Sequence, residues 1–233
     1  MPAMMERVQA VQRYRLTSSR ATTRALAATP TLFGEIRHPQ AGQYLLIPSV
    51  SSERRPFIPI GILSSEVIST NLNLIIPDAN LHHFGILSST MHMAWVRAVC
   101  GRLKSDYRYS AGIVYNNFPW PEPDDPQRCA IETAAQAVLD VRARYLHPSP
   151  SGRGAGGEGA TLADLYDPLA MPPELRKAHR HLDRAVDAAY GKTTFASEAE
   201  RVAFLFERYQ QLTSLLPEEK VKAHKKRGQT PVR

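Results

Sequence analysis

The sequence is short of cysteine, of long apolar runs and of the motifs that hold phosphates or metals. Its two cysteines, Cys100 and Cys129, cannot build a disulfide scaffold and suit a reducing compartment. No apolar run approaches the roughly 18 residues that span a bilayer. Met1 to Arg15 hold charges and lack the apolar core of a signal peptide. There is no G-x-x-x-x-G-K-[ST] loop and no G-x-G-x-x-G after a strand, so the common phosphate and dinucleotide cradles are excluded. No H-E-x-x-H or C-x-x-C pair occurs. His82-His83 with His92, and His179-x-His181, lack cysteine or carboxylate partners at ligand spacing. They read as polar surface histidines, and no metal is expected. Both thiols read as buried and inert. The expectation is a soluble, cytoplasmic chain with no membrane partner.

Charge is what the sequence has, and it is unevenly spread. The 233 residues carry 29 Lys+Arg against 22 Asp+Glu, a net of +7. Residues 1–120 contribute +6, almost all of it through arginine, residues 121–216 contribute −3, and residues 217–233 contribute +4. Arginine offers a rigid fork of donors that suits phosphates and guanine edges. Nucleic acid is therefore the first partner to test, and the first half is where it would bind.

Hydrophobic residues make up 43% of the chain, enough for a packed core. The first half reads as short strands: Gly42 to Ser49, Pro56 to Leu63 and Asn71 to Pro77 are brief apolar runs bounded by turn residues. Pro48, Pro59 and Pro77 make them edge or interrupted strands. One helix breaks the series, capped by Ser88 or Ser89, carrying Met91, Trp95 and Val99, and ended by Gly101. The proline- and acid-rich Asn116 to Pro126 reads as a boundary. Beyond it the periodicity is helical: Ile131, Ala135, Val138, Val141 and Tyr145, then Leu175 to Ala189 closed by Gly191, then a helix opened by Ser197 to Glu200. The fold class is α+β, a mixed strand-rich domain over residues 1–121 followed by an all-α helical domain over 122–216. A flexible glycine-rich insertion at 149–160 and a basic disordered tail at 217–233 complete the expected layout.

Three basic stretches carry chemistry. Tyr14 to Arg24 mixes Arg15, Arg20 and Arg24 with hydroxyls and small side chains, a mixture suited to phosphate contacts. In Ser51-Ser52-Glu53-Arg54-Arg55, Glu53 and Arg55 are two apart, so extended backbone would point both to one face. One accepts and the other donates two hydrogen bonds, which suits a single C·G pair. The alternative is a self-neutralising surface pair in a hairpin loop. Arg102, Lys104 and Arg108, interleaved with Tyr107 and Tyr109, can track a phosphate backbone or form a solvated loop.

Longer motifs are more specific. Ala21 to Leu26, Gly42 to Pro48, Ser51 to Arg55, Ile75 to Ala79, His83 to Ser89 and His92 to Trp95 resemble the MmeI-like (type IIL) restriction–modification family. Cys100 to Ser110, Val114 to Pro121, Leu165 to Leu169 and Leu182 to Asp187 continue the similarity over most of residues 14–216. Such proteins resemble fusions of a nuclease, an adenine-N6 DNA methyltransferase using S-adenosylmethionine, a target-recognition domain and a helical domain. This chain is similar to the last two. The methyltransferase N-P-P-[YF] motif is absent, and Asn116 to Pro121 mimics it only superficially.

The resemblance implies that Glu53 and Arg55 read a base pair, that Ala21 lies against the DNA, and that Arg20, Arg24, Arg102, Lys104 and Arg108 hold phosphates. It also implies double-stranded DNA as partner and no catalytic residue or cofactor within this chain, S-adenosylmethionine belonging to the parent family. Other readings stay open: an active methyltransferase subunit completed by a separate methyltransferase or nuclease chain, a protein-interaction module, or a non-functional gene fragment.

Overall fold

A computed structural model of the chain describes residues 1–34, 37, 39–146, 160–192 and 194–214. Helices α1 (Pro2–Leu16) and α2 (Ala21–Ala25) and a 3-10 turn (Leu26–Ala28) lead into strands β1 (Gln43–Pro48), β2 (Val50–Ser51), β3 (Gly61–Ser64) and β4 (Asn73–Pro77). Next come α3 (Leu81–Leu87), α4 (Thr90–Val99), the hairpin β5 (Gly101–Leu103) and β6 (Asp106–Arg108), and a π-helical turn (Ala111–Tyr115). Helices α5 (Asp125–Leu146), α6 (Leu162–Leu165), α7 (Pro173–Ala189) and α8 (Glu198–Ser214) close the described chain. The fold is α+β, with the strands in the first part and helices alone after it. No described helix is long and apolar enough to cross a membrane.

Packing divides the chain into two compact units that are discontinuous in sequence. Met1–Ile47 and Gly61–Ala79 form the first; Pro48–Ile60 and the chain from Asn80 onward form the second. The first contains a sheet in the order β3-β1-β4. β1 runs antiparallel to β3, with Leu46 opposite Gly61 and Gln43 opposite Ser64. The buried Tyr44 donates its hydroxyl to the Val67 carbonyl at 2.6 Å. Arg15, at the end of α1, donates to the carbonyls of Leu26, Thr29 and Leu32, each at 2.8 Å, and so ties α1 to the turn after α2. These are charged donors satisfying carbonyls that the helix ends leave free.

The second unit holds the core. Its sheet, in the order β2-β6-β5, is antiparallel throughout. α3 and α4 bury nearly every side chain between His82 and Val96, so they form the interior rather than a cover. α7 places Leu175, His179, Leu182 and Val186 on one buried stripe and leaves Lys177, Arg180 and Arg184 exposed. It ends as predicted at Gly191, whose φ of +77° allows the N–H groups of Gly191 and Lys192 to reach the carbonyls of Ala188 (2.9 Å) and Asp187 (3.2 Å). Asp183 accepts from the Thr90 N–H at 2.7 Å and hydroxyl at 2.6 Å, a carboxylate at the start of α4 where the helix dipole favours it. Arg201 pairs with Asp187 at 2.5 Å and ties α8 to α7.

Three helices, α1, α2 and α3, lacked the expected sequence signal, α2 being only five residues long. α1 buries no residue at all, so it has no apolar stripe to read. α3 is seven residues long and mostly buried, so no polar face gives it a period. It is set instead by a capping box between Asn80 and His83, with the His83 N–H 3.2 Å from Asn80 Oδ1 and the Asn80 N–H 3.4 Å from His83 Nδ1. The strand expected from Pro56 begins only at Gly61, because Pro56 and Pro59 have no N–H to give a ladder. The expected boundary near residue 121 falls within the second unit. Apart from Ala160, the expected insertion at 149–160 and the tail at 217–233 lie outside the described residues.

Gly85 marks a close helix approach. A Cβ there would stand 2.7 Å from Ile131 Cγ2 and 3.3 Å from both Ala135 Cβ and Leu182 Cδ1, so α3 meets α5 and α7 without room for a methyl group. Overpacking of this kind costs about 1–3 kcal/mol, more than the ~1 kcal/mol of helix propensity that alanine returns. G85A is expected to lower the melting temperature by a few degrees in a thermal scan followed by circular dichroism. A rise would show that the three helices separate freely.

Candidate nucleic-acid interface

Ser51 pairs with Tyr107 at the end of β2, and there the chain turns. The Arg55 N–H donates to the Ser52 carbonyl at 3.2 Å, with Glu53 and Arg54 at the corners, and Ser52 Oγ accepts from the Arg54 N–H at 3.4 Å. Extended backbone would have pointed Glu53 and Arg55 the same way; the turn replaces that alternation and leaves Glu53 exposed and Arg55 half-buried. A serine able to bond its own turn, followed by a proline that cannot donate, favours this conformation over a strand.

The β5–β6 hairpin lies against this turn. The Glu53 N–H donates to Asp106 Oδ1 at 3.3 Å, and Glu53 Oε2 is 3.8 Å from Arg102 Nη1. Arg102 is held in turn: its guanidinium lies 4.2 Å from the centre of the Tyr107 ring, opposite it in the ladder, and donates to the Ser105 carbonyl at 2.9 Å. Lys104, the first of the two loop residues, has φ +57°, a left-handed conformation that favours glycine and strains any larger residue. Among the described residues, the side chains of Arg54, Arg55, Lys104 and Arg108 form no ion pair and no hydrogen bond. The turn and hairpin thus gather Arg54, Lys104 and Arg108 without an ion pair, Arg55, whose charge also acts on the Asp164 carboxylate, and the internally held Arg102 around two carboxylates.

Both roots of the 49–60 segment are fixed by buried tyrosine–histidine pairs. At the first root, Tyr109 donates its N–H to the Ser49 carbonyl at 2.8 Å, and its hydroxyl lies 2.9 Å from His92 Nε2. At the second, Arg142 of α5 donates Nη1 to the Ile60 carbonyl at 2.7 Å and Nε to the Tyr166 hydroxyl at 2.8 Å. Its Nη2 also bonds the Tyr166 hydroxyl. The Tyr166 hydroxyl is 2.7 Å from His179 Nε2, His179 Nδ1 is 3.1 Å from the Ser88 carbonyl, and the His179 ring stacks on Phe57 at 4.0 Å. A carbonyl only accepts, so Nδ1 carries the proton, Nε2 accepts from Tyr166, and the Tyr166 oxygen accepts from Arg142. Burial, and for His179 the nearby Arg142 charge, hold both His92 and His179 at a pKa of about 3, so both rings are neutral.

Arg142 is 3% exposed and has no carboxylate partner among the described residues. Three hydrogen bonds and the faces of Phe84 (4.9 Å) and Tyr166 (4.8 Å) stand in for one. Sequence reasoning missed it, and the position gives the reason. Arg142 falls four residues after Val138, on the stripe that Ile131, Ala135 and Val138 define, where an apolar residue is normally expected. A charged residue in the apolar register of a long helix was the available signal.

The remaining sequence-predicted residues are divided between the units. Arg20, Ala21 and Arg24 lie in the first, at the start of α2, with Arg20 and Ala21 exposed. Arg24 donates to the carbonyls of Ser18 and Ser19, both at 2.9 Å. Glu53, Arg55, Arg102, Lys104 and Arg108 lie together in the second. The histidines correct expectation: His82, His92 and His179 are buried, not on the surface. Cys129 is exposed rather than buried. Among the described residues no three His, Cys, Asp or Glu side chains gather as metal ligands would.

Comparison with known proteins returns one family over both halves. The family described as "MmeI, target recognition domain" matches residues 1–122, and that described as "MmeI, C-terminal domain" matches residues 123–217. "DNA methyltransferase A" of Bacillus subtilis (strain 168) is 42% identical over 212 residues, which are 91% of this chain and 22% of that protein. The solved structure of the type IIL restriction–modification enzyme MmeI in complex with DNA is 50% identical with a TM-score of 0.80, covering 92% of this chain and 27% of the other. The chain thus spans about a quarter of the length of these relatives.

The neutral His179 makes stability depend on pH. Between about pH 3 and 6.5 the unfolded chain takes up a proton that folded His179 refuses, so acidification favours unfolding. In urea titrations the wild type is expected to lose stability as pH falls below about 6.5. H179Q, though less stable at neutral pH, is expected to lose about 1.4 kcal/mol less per pH unit below pH 6. Parallel pH profiles for the two proteins would mean that His179 titrates normally in the fold.

Proposed function

Because the chain belongs to the MmeI restriction–modification family, across that family's target-recognition and C-terminal domains, we propose that it recognises a specific double-stranded DNA sequence for an adenine-N6 methyltransferase or restriction–modification enzyme. The observation that carries this reading is the 52–55 turn. It holds an exposed acceptor, Glu53, and a half-buried donor, Arg55, on a segment rooted at both ends, beside the Lys104 and Arg108 cations that form no ion pair.

In the proposed mechanism Glu53 accepts from the amino group of a cytosine and Arg55 donates to the guanine edge of the same pair. Lys104, Arg108 and Arg20 bind phosphates and set register, which carries affinity but no sequence information. Arg24 contributes its charge from a fixed position, since its guanidinium already holds the 18–19 carbonyls. Ala21, small and exposed, lets DNA approach the start of α2 closely.

Chemistry on the adenine needs a separate domain that flips the base, and it is assigned to residues outside these 233. Among the described residues the two glycines with positive φ precede β1 (Gly42) and end α7 (Gly191), and neither forms a strand-to-helix turn that a nucleoside could approach. No step through S-adenosylmethionine is assigned to this chain.

Substitution separates the two kinds of contact. Against a panel of duplexes differing by one base pair, R55D is expected to change which duplex binds best. K104A is expected to weaken all duplexes alike and to lower the slope of log K against log salt by about one. Uniform weakening by both variants would refute the base-reading assignment.

A further inference from the structure

The sequence groups Arg102 with the phosphate-binding cations, but its surroundings differ from theirs. Lys104 and Arg108 have uncommitted charges. Arg102 has three separate restraints before any ligand arrives: the Tyr107 ring at 4.2 Å, the Ser105 carbonyl at 2.9 Å and its own place in the β5–β6 ladder. Tyr107 is itself buried, 3% exposed, so the platform is packed into the core. From that platform the guanidinium faces the Glu53 carboxylate at 3.8 Å, while Asp106 of the same hairpin accepts the Glu53 N–H at 3.3 Å. Backbone and side chain of Glu53 are therefore both located from one hairpin.

The pair adds little to stability. Both partners are more than two-fifths exposed, and ion pairs in that setting contribute next to nothing in most proteins. Orientation is a different matter. A free glutamate samples many rotamers, and a base-reading acceptor must stand in one of them before the DNA arrives.

We propose that Arg102 is a positioning residue for sequence recognition, orienting the Glu53 carboxylate toward the base pair it reads, rather than a phosphate contact. This rests on the base-reading role of Glu53 proposed above. The two roles have opposite signatures. A lost phosphate contact weakens every duplex and flattens the salt dependence, whereas a lost positioning residue relaxes choice at one base pair and leaves the salt slope alone.

The test uses the full chain, the same duplex panel and three variants: E53A, R102M and E53A/R102M. Methionine keeps an unbranched side chain over Tyr107 while removing the charge and the donors, and thermal melting verifies that each variant is folded. E53A is expected to lose about ten- to hundredfold of discrimination at one base pair. R102M is expected to lose discrimination at that same pair, at least about fivefold, with the salt slope unchanged, and the double variant is expected to be no worse than E53A. If E53A abolishes the preference while R102M keeps it, or if R102M binds all duplexes more weakly with a shallower salt slope, the positioning role is wrong and the functional reading stands. A wild type without base preference would overturn both.

Discussion

A buried cation without a counter-ion governs the second packing unit. Transferring an arginine side chain out of water costs several kcal/mol, and among the described residues no carboxylate repays it. The guanidinium of Arg142 tolerates its site only while the Ile60 carbonyl, the Tyr166 hydroxyl and two aromatic faces stay in place. They come from three separate stretches of chain, around Ile60, Phe84 and Tyr166, and the requirement propagates: the Tyr166 hydroxyl must point its proton at His179, whose other nitrogen must donate to Ser88. Burial keeps that histidine neutral, which in turn keeps a second positive charge away from the first. The result is a polar core with one proton arrangement, which is the circumstance in which buried polar groups specify a fold rather than merely fit in it.

This core determines what the exposed turn can do. A loop that must select among base edges gains nothing from flexibility, because every degree of freedom it retains is lost again on binding. The 49–60 segment has its mobility removed at the roots, by Tyr109 with His92 on one side and by Arg142, Tyr166 and His179 on the other. The 52–55 turn lies on the solvent side of that frame, with Glu53 and Arg54 exposed and Arg55 half-buried. The same logic accounts for Lys104, which keeps a side chain in a backbone conformation where glycine would be unstrained.

The helices of the second half were legible because their signals are local and redundant: Ser197 caps where it should, and Gly191 ends α7 through the positive φ that its position needs. β1 and β4 were legible as well. What escaped was whatever depends on distant partners. α1 has no buried face, so nothing in its sequence marks it. Arg142 stands out in sequence only as a charge in an apolar register, and its partners Ile60 and Tyr166 lie 82 and 24 residues away. The histidines were misplaced for the same reason, since an imidazole is polar in a sequence and neutral in a core. At the candidate interface the residue types were readable and the backbone was not: Glu53 and Arg55 were identified on strand geometry that a hydrogen bond from Arg55 to Ser52 replaces with a turn.

The second unit takes Pro48–Ile60 from early in the sequence and closes around it with helices that come more than sixty residues later. Recognition region and helical region therefore share one interior. Phe57, Ile60 and Ser88 lie on one side of residue 122, and their partners Arg142, Tyr166 and His179 on the other. A change on one side of residue 122, at Phe57 or in the course of the backbone at Ile60 and Ser88, is therefore felt on the other, by the stacking of His179 and by the hydrogen bonds of Arg142 and His179.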